Sequence, residues 1–161
     1  MKKWLLAVVL LAAGCGPSEN RVREIVREEF SRASQRSEIT DAQVMGPYSP
    51  AVRVGNFLFV SGQLGLDPES LALAGNDIES QTRQALDNLM TILQKAGYDS
   101  SDVVQCNIFL KDINHFQRMN LIYGGYFDEH HYPARTTVEV SNLPRNAVVE
   151  VAAIAFKGTQ P

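Results

Sequence analysis

Two residue types near the C-terminal end could do chemistry together. Val148-Val149-Glu150-Val151-Ala152-Ala153-Ile154-Ala155-Phe156 is an almost unbroken apolar run rich in β-branched residues, which reads as a strand buried on both faces. Glu150 interrupts it. A carboxylate in such a strand is costly unless it is paired, hydrogen-bonded or protonated. The nearest cation on a candidate pairing strand is Arg135, in Pro133-Ala134-Arg135-Thr136-Thr137-Val138-Glu139-Val140. An arginine and a glutamate brought together there form either a structural ion pair or a pair that binds an anion and moves a proton.

The elements that must position these residues can be read from periodicity and turn residues. Gly46-Pro47-Tyr48-Ser49-Pro50 cannot be helical, with proline at two positions, and presents Tyr48 from a restrained, extended segment. Ala51–Val54 and Phe57–Gly62 read as strands around a tight Gly55-Asn56 turn. Gln63 to Ala74 reads as loop. Residues 77–96 form an amphipathic helix with Ile78, Thr82, Ala85, Leu86, Leu89, Met90, Leu93 and Ala96 on one face, Asn76 or Asp77 as cap and Gly97 as stop. Val103–Leu110 is a strand. A second helix, capped by Asp112 or Asn114, carries Phe116, Met119, Tyr123 and Phe127, with Asn120 on or beside that face. Strands near 136–141 and 147–156 follow, joined by a turn around Pro144. The order β-β-α-β-α-β-β predicts an α+β domain, a mixed sheet with two helices on one face. The last strand's other face then needs cover that the chain does not supply, which predicts an oligomer.

The N-terminus is a different material. Met1-Lys2-Lys3 is a positive segment, and Trp4–Ala13 is an apolar run too short for a stable bilayer span. Small residues close it at Ala13-Gly14, directly before Cys15. This pattern resembles a bacterial lipoprotein signal: residues 1–14 removed, Cys15 lipidated, and Gly16 after it favouring the outer membrane. The competing readings are an ordinary signal peptide or a mistaken start codon upstream of a cytosolic protein. Residues 15–40 are then a lipid-anchored spacer. Within it, Val22, Ile25, Val26, Phe30 and Ala33 form the apolar side of a short helix over 21–34, and Ser31–Thr40 is a polar linker. The globular domain is expected over 41–161, and the expected address is the periplasm, at a membrane.

Fifteen Lys+Arg oppose eighteen Asp+Glu, a net charge of −3. Loss of residues 1–14 removes two lysines and no acids, which shifts it to −5. No basic stripe with interleaved aromatics is present, so nucleic acid is not an expected partner. Apart from Cys15 the only cysteine is Cys106, which reads as a buried small hydrophobe with no internal disulfide to form. His115 stands alone and His130-His131 lie in a loop without a carboxylate or cysteine framework, so no metal site is expected.

Several separated motifs resemble one family. Gly46-Pro47-Tyr48-Ser49, Val60-Ser61-Gly62-Gln63, Gln84-Ala85-Leu86-Asp87-Asn88-Leu89, Phe109-Leu110-Lys111-Asp112-Ile113-Asn114, Pro133 to Val140 and Val149 to Ala155 appear in the order found in the Rid/YjgF family, the reactive-intermediate imine and enamine deaminases. The resemblance covers about residues 41–157. It implies a chorismate-mutase-like homotrimer with sites in clefts between subunits, and neither metal nor cofactor. It further implies hydrolysis of 2-imino and enamine acids such as 2-aminoacrylate to 2-oxo acids and ammonia, as in a 2-iminobutanoate/2-iminopropanoate deaminase.

On that resemblance, Arg135 offers the planar fork that holds a carboxylate. Glu150, its pKa raised by desolvation and lowered by Arg135, orients water or shuttles a proton. Tyr48 closes the pocket, and backbone N–H groups near Ser61-Gly62 with Asn120 complete the polar lining. Thr137 stands where many members carry a cysteine, and its hydroxyl can still hydrogen-bond. Asp128–Tyr132, slightly short against the family pattern, borders the pocket. The alternative reading is a non-catalytic module of the same fold that binds small carboxylates or holds unfolded clients in the periplasm.

Overall fold

The computed structural model describes residues 18–33, 35–40 and 44–158. The expected signal segment and Cys15 lie outside the described residues. Helix α1 (Glu19–Ala33) comes first. The sheet is built from β1 (Arg36–Ile39), β2 (Ala51–Val54), β3 (Phe57–Leu64), β4 (Val103–Leu110), β5 (Ala134–Glu139) and β6 (Val149–Phe156), with α2 (Ile78–Lys95) and α3 (Phe116–Tyr123) between strands. The spatial order is β1-β2-β3-β6-β4-β5. All pairings are antiparallel except β4–β5, whose crossover runs through α3. The order β2-β3-α2-β4-α3-β5-β6 is the one expected from the sequence.

β1 is a correction. The stretch read as linker contains a strand that pairs with β2, Arg36 opposite Val54 and Ile39 opposite Ala51, so the sheet begins before Asp41. Helix α1 is held along its own surface by Arg21–Glu24 and Arg23–Glu19 ion pairs. Its Ile25 and Val26 are exposed.

One sheet face is covered. Leu86, Leu89 and Leu93 of α2 and Met119 and Tyr123 of α3 pack on Leu58, Cys106, Ile108, Leu110, Val149 and Val151. Burial of these side chains is the main favourable term, roughly 1.5–3 kcal/mol each relative to exposure. Asp77, rather than Asn76, caps α2 by accepting from the Ser80 N–H. Asp112 caps the short turn at Ile113–His115 that leads into α3. A bidentate Glu79–Arg118 pair, 2.5 and 2.6 Å, ties α3 to α2.

Two polar residues of α2 fix the strand ends. Buried Gln81 donates to the Gly75 carbonyl and accepts from the Val148 N–H at 2.9 Å. Asn88 donates to the carbonyls of Leu64 and Leu66. The first sets the entry to β6, the second the exit of β3.

The second face is open in the single chain. Phe57 opposite Phe156 and Phe59 opposite Ile154 place aromatic rings there, and the Phe57 and Phe156 ring centroids are 4.8 Å apart. Phe57, Phe59, Val104, Val138 and Phe156 are exposed. Large apolar side chains exposed on an uncovered sheet face make that face a candidate contact surface.

Candidate active site

Glu150 is the second residue of β6, where the sheet is irregular. Val60 pairs with Ala153 and Gln63 with Val151, so Ser61 and Gly62 of β3 face the single residue Ala152. This is a β-bulge. The Glu150 side chain lies back over it. A Cβ built on Gly62 would sit 1.7 Å from Glu150 Oε1, so the carboxyl group occupies the space that the missing side chain leaves free. Burial holds the carboxyl above the usual carboxylate range. Among the described residues it has no ion-pair partner.

Tyr48 and Glu150 border one cleft of about 900 Å³, together with Pro50, Ser61, Gly62 and Leu64. Tyr48 is fixed by its own segment: its N–H donates to the Gly46 carbonyl at 2.9 Å, and its hydroxyl accepts from the Met45 N–H. Ser61 serves that segment too. Its N–H donates to the Pro50 carbonyl at 3.0 Å and its hydroxyl to the Ser49 carbonyl at 2.7 Å. Of the backbone N–H groups near Ser61-Gly62 expected to line the pocket, that of Ser61 is spent on clamping the Tyr48 loop to the bulge.

Arg135 sits elsewhere. On β5 it is opposite Cys106 of β4, while Glu150 on β6 is opposite Phe109 of β4. Residues 106 and 109 are an odd number of steps apart in a regular stretch of strand, so they point to opposite faces. β4 also lies between β5 and β6. The expectation that Arg135 and Glu150 meet across paired strands of one chain is thus overturned. Among the described residues, burial is the influence that moves the Glu150 pKa.

Arg135 is half-buried on the helix-covered side. Its guanidinium lies over the rings of Tyr123 and Phe116, 4.6 and 5.6 Å from their centroids. Among the described residues no carboxylate pairs with it. Among the described residues the buried Asn120 Oδ1, Thr137 Oγ1 and His115 Nδ1 have no hydrogen-bond partner, while the Tyr123 hydroxyl neighbours the Cys106 thiol. Asn120 is on α3, and Thr137 follows Arg135 by two on the same face of β5. Burial pushes the Tyr123 phenol up, with the neighbouring Cys106 thiol acting in the same direction. Burial also raises the Cys106 thiol, which suits a core residue and not a nucleophile. His130 and His131 lie on the surface beside Glu129 and Asp128.

The site residues therefore form two groups. Tyr48, Gly62 and Glu150 belong to one, and Arg135, Asn120 and Thr137 to the other. Sequence reasoning took Tyr123 and Phe116 for core alone. Their spacing on α3 gave no sign that they would flank a cation.

A fold of this topology with a basic and an acidic half-site can be compared with known proteins. The family model described as endoribonuclease L-PSP matches residues 38–157, and the chain belongs to this family, the Rid/YjgF proteins. A RutC family protein of Pyrococcus horikoshii is 48% identical over 113 residues, 70% of this chain and 89% of that one. The 2-iminobutanoate/2-iminopropanoate deaminase of Salmonella typhimurium is 39% identical over 115 residues, 70% of this chain and 89% of that enzyme. Among solved structures, the YjgF gene product of E. coli superposes with a TM-score of 0.69 at 35% identity, covering 75% of this chain and all of that one. E. coli TdcF, solved with bound serine, gives 0.71 at 32% identity, covering 76% and 100%.

Proposed function

We propose that the protein is an imine deaminase whose site is completed between subunits of a homotrimer. One observation carries the reading. Among the described residues, a guanidinium without an anion and a carboxyl group without a cation lie on opposite faces of one sheet. Packing of open faces would hide Phe57, Phe59 and Phe156, and because Arg135 lies on β5, at the edge of the sheet, a cleft along that edge would take Arg135 from one copy and Glu150 from the open face of the next. The family relationship and the Salmonella deaminase support this reading.

In the assembled cleft the Arg135 fork holds the carboxylate of a 2-imino acid. Water adds to the C=N carbon, forming a C–O bond while the nitrogen takes up a proton. Glu150 takes a proton from the attacking water and returns it to the nitrogen. Glu150 then takes the proton of the new hydroxyl and passes it to the nitrogen as the C–N bond breaks and the C=O bond forms, so that ammonia and a 2-oxo acid leave. A carboxyl group that burial holds above the usual carboxylate range suits both transfers. Tyr48 closes the cleft, and Asn120 and Thr137 supply hydrogen-bonding atoms at the Arg135 end.

We further propose that the N-terminal signal delivers the protein to the periplasm, anchored through lipidated Cys15. Mass spectrometry of the mature N-terminus tests this.

The enzymatic reading is tested with imines made in situ by an amino-acid oxidase. The expected result is accelerated ammonia release that Arg135→Ala abolishes. A wild-type rate equal to the uncatalysed one overturns it. If nothing turns over while Glu150→Gln and wild type bind small 2-oxo acids equally, the protein is a carboxylate-binding module.

A further inference from the structure

We propose that Tyr123, with Phe116, is the positioning residue for Arg135, holding its guanidinium by the π-faces so that its N–H donors stay free for the substrate carboxylate. The inference rests on the carboxylate-clamp reading above. Arg135 has no carboxylate or carbonyl partner among the described residues, and the groups that hold it are two rings of α3, at 4.6 and 5.6 Å. A structural arginine on a covered sheet face is ordinarily held by acceptors, which consume the donor fork. A ring attracts the cation through its quadrupole and consumes no donor.

The rings are themselves held. Tyr123 is 4% exposed, packs on Phe127 with centroids 4.8 Å apart, and lies in the main core. Phe116 is partly buried against the same core. Because α3 is pinned to α2 through Arg118 and Glu79, the rings cannot follow a wandering arginine. Without them, a long flexible side chain must be ordered at the moment of binding, which weakens the clamp.

The test uses the full chain and four variants: Tyr123→Phe, Tyr123→Leu, Phe116→Leu and Arg135→Ala. Steady-state kinetics on an oxidase-generated 2-imino acid are run beside an imine that lacks the carboxylate. Calorimetry measures binding of 2-oxobutanoate. Tyr123→Leu is expected to raise KM for the imino acid and Kd for the 2-oxo acid by about tenfold, the scale of a desolvated cation–π contact. Its kcat should change by less than about twofold, and the carboxylate-free imine should be unaffected. Phe116→Leu, at the longer distance, should act the same way more weakly. Tyr123→Phe keeps the ring and should match wild type.

The proposal is overturned if Tyr123→Leu binds 2-oxobutanoate like wild type, if Tyr123→Phe fails as badly as Tyr123→Leu, or if both substrates slow equally. A wild type that binds 2-oxobutanoate through Arg135 but turns over no imine removes the enzymatic reading alone, since binding still reports on the rings. A wild type that binds no 2-oxo acid overturns both.

Discussion

Gly62 and Glu150 occupy one another's space: the carboxyl oxygen lies 1.7 Å from where a Cβ on residue 62 would be. The bulge at Ser61-Gly62 sets two residues of β3 against one of β6, and only a residue without a side chain at 62 lets the carboxyl group rest on it. The atom in the way is the far end of a flexible side chain. Gly62→Ala is therefore relieved by swinging Glu150 aside, not by breaking the sheet. The variant should fold and assemble like wild type while losing about 10²–10⁴-fold in kcat, the range for a misplaced proton-transfer group. Circular dichroism melts and the imine assay, read together, check it. An active Gly62→Ala variant removes Glu150's bulge-seated position from the mechanism.

The clamp gives a second prediction. A lysine at position 135 keeps the charge and loses the planar fork, and it stacks less well on Tyr123 and Phe116. Arg135→Lys should lower kcat/KM for 2-imino acids by about 10–100-fold, mainly through KM, while leaving the thermal midpoint nearly unchanged. Steady-state kinetics over a substrate range check this.

A third prediction concerns pH. Burial raises the Glu150 carboxyl above its unfolded value of 4.5 in the single chain. Between the unfolded and folded values the native state binds more protons than the unfolded one, so stability falls as pH rises through that window and levels off above it. If Arg135 of a neighbouring subunit faces Glu150, the cation offsets this burial and flattens the slope. Arg135→Ala should therefore lose stability with rising pH above about 4.5 more steeply than wild type. Denaturant melts across that range measure it, and parallel slopes would mean that the two groups do not meet.

How much of this was legible in the chain varies with the physics involved. The face of α2 that carries Leu86, Leu89 and Leu93 is written in its periodicity, and those side chains are buried. Gly55 marks the hairpin turn with its φ of +59°. β1 was hidden because Arg-Ser-Glu-Ile has one apolar residue and pairs only along the edge of the sheet. The chemical types of Arg135 and Glu150 drew notice at once, but their faces depend on β4 lying between their strands, a tertiary fact that no local pattern encodes. That the Ser61 N–H is taken by the Pro50 carbonyl depends on a loop closing back on the bulge, which no local pattern encodes.

The split between the half-sites yields the last prediction. If each site takes Arg135 from one subunit and Glu150 from the next, Arg135→Ala and Glu150→Ala homotrimers are both inactive. Co-expressed at equal levels, they form mixed trimers. A site is intact where the subunit giving the arginine is the Glu150→Ala chain and the one giving the glutamate is the Arg135→Ala chain. Random mixing makes about a quarter of sites intact, so about a quarter of wild-type activity should return. A site contained in one subunit recovers nothing under the same mixing. The open face supplies the control. Phe59 is exposed opposite Ile154, and Phe59→Glu places a charge on the face proposed to pack between copies. That variant should sediment as a monomer, keep its helical circular dichroism, and lose activity although Arg135 and Glu150 are both present.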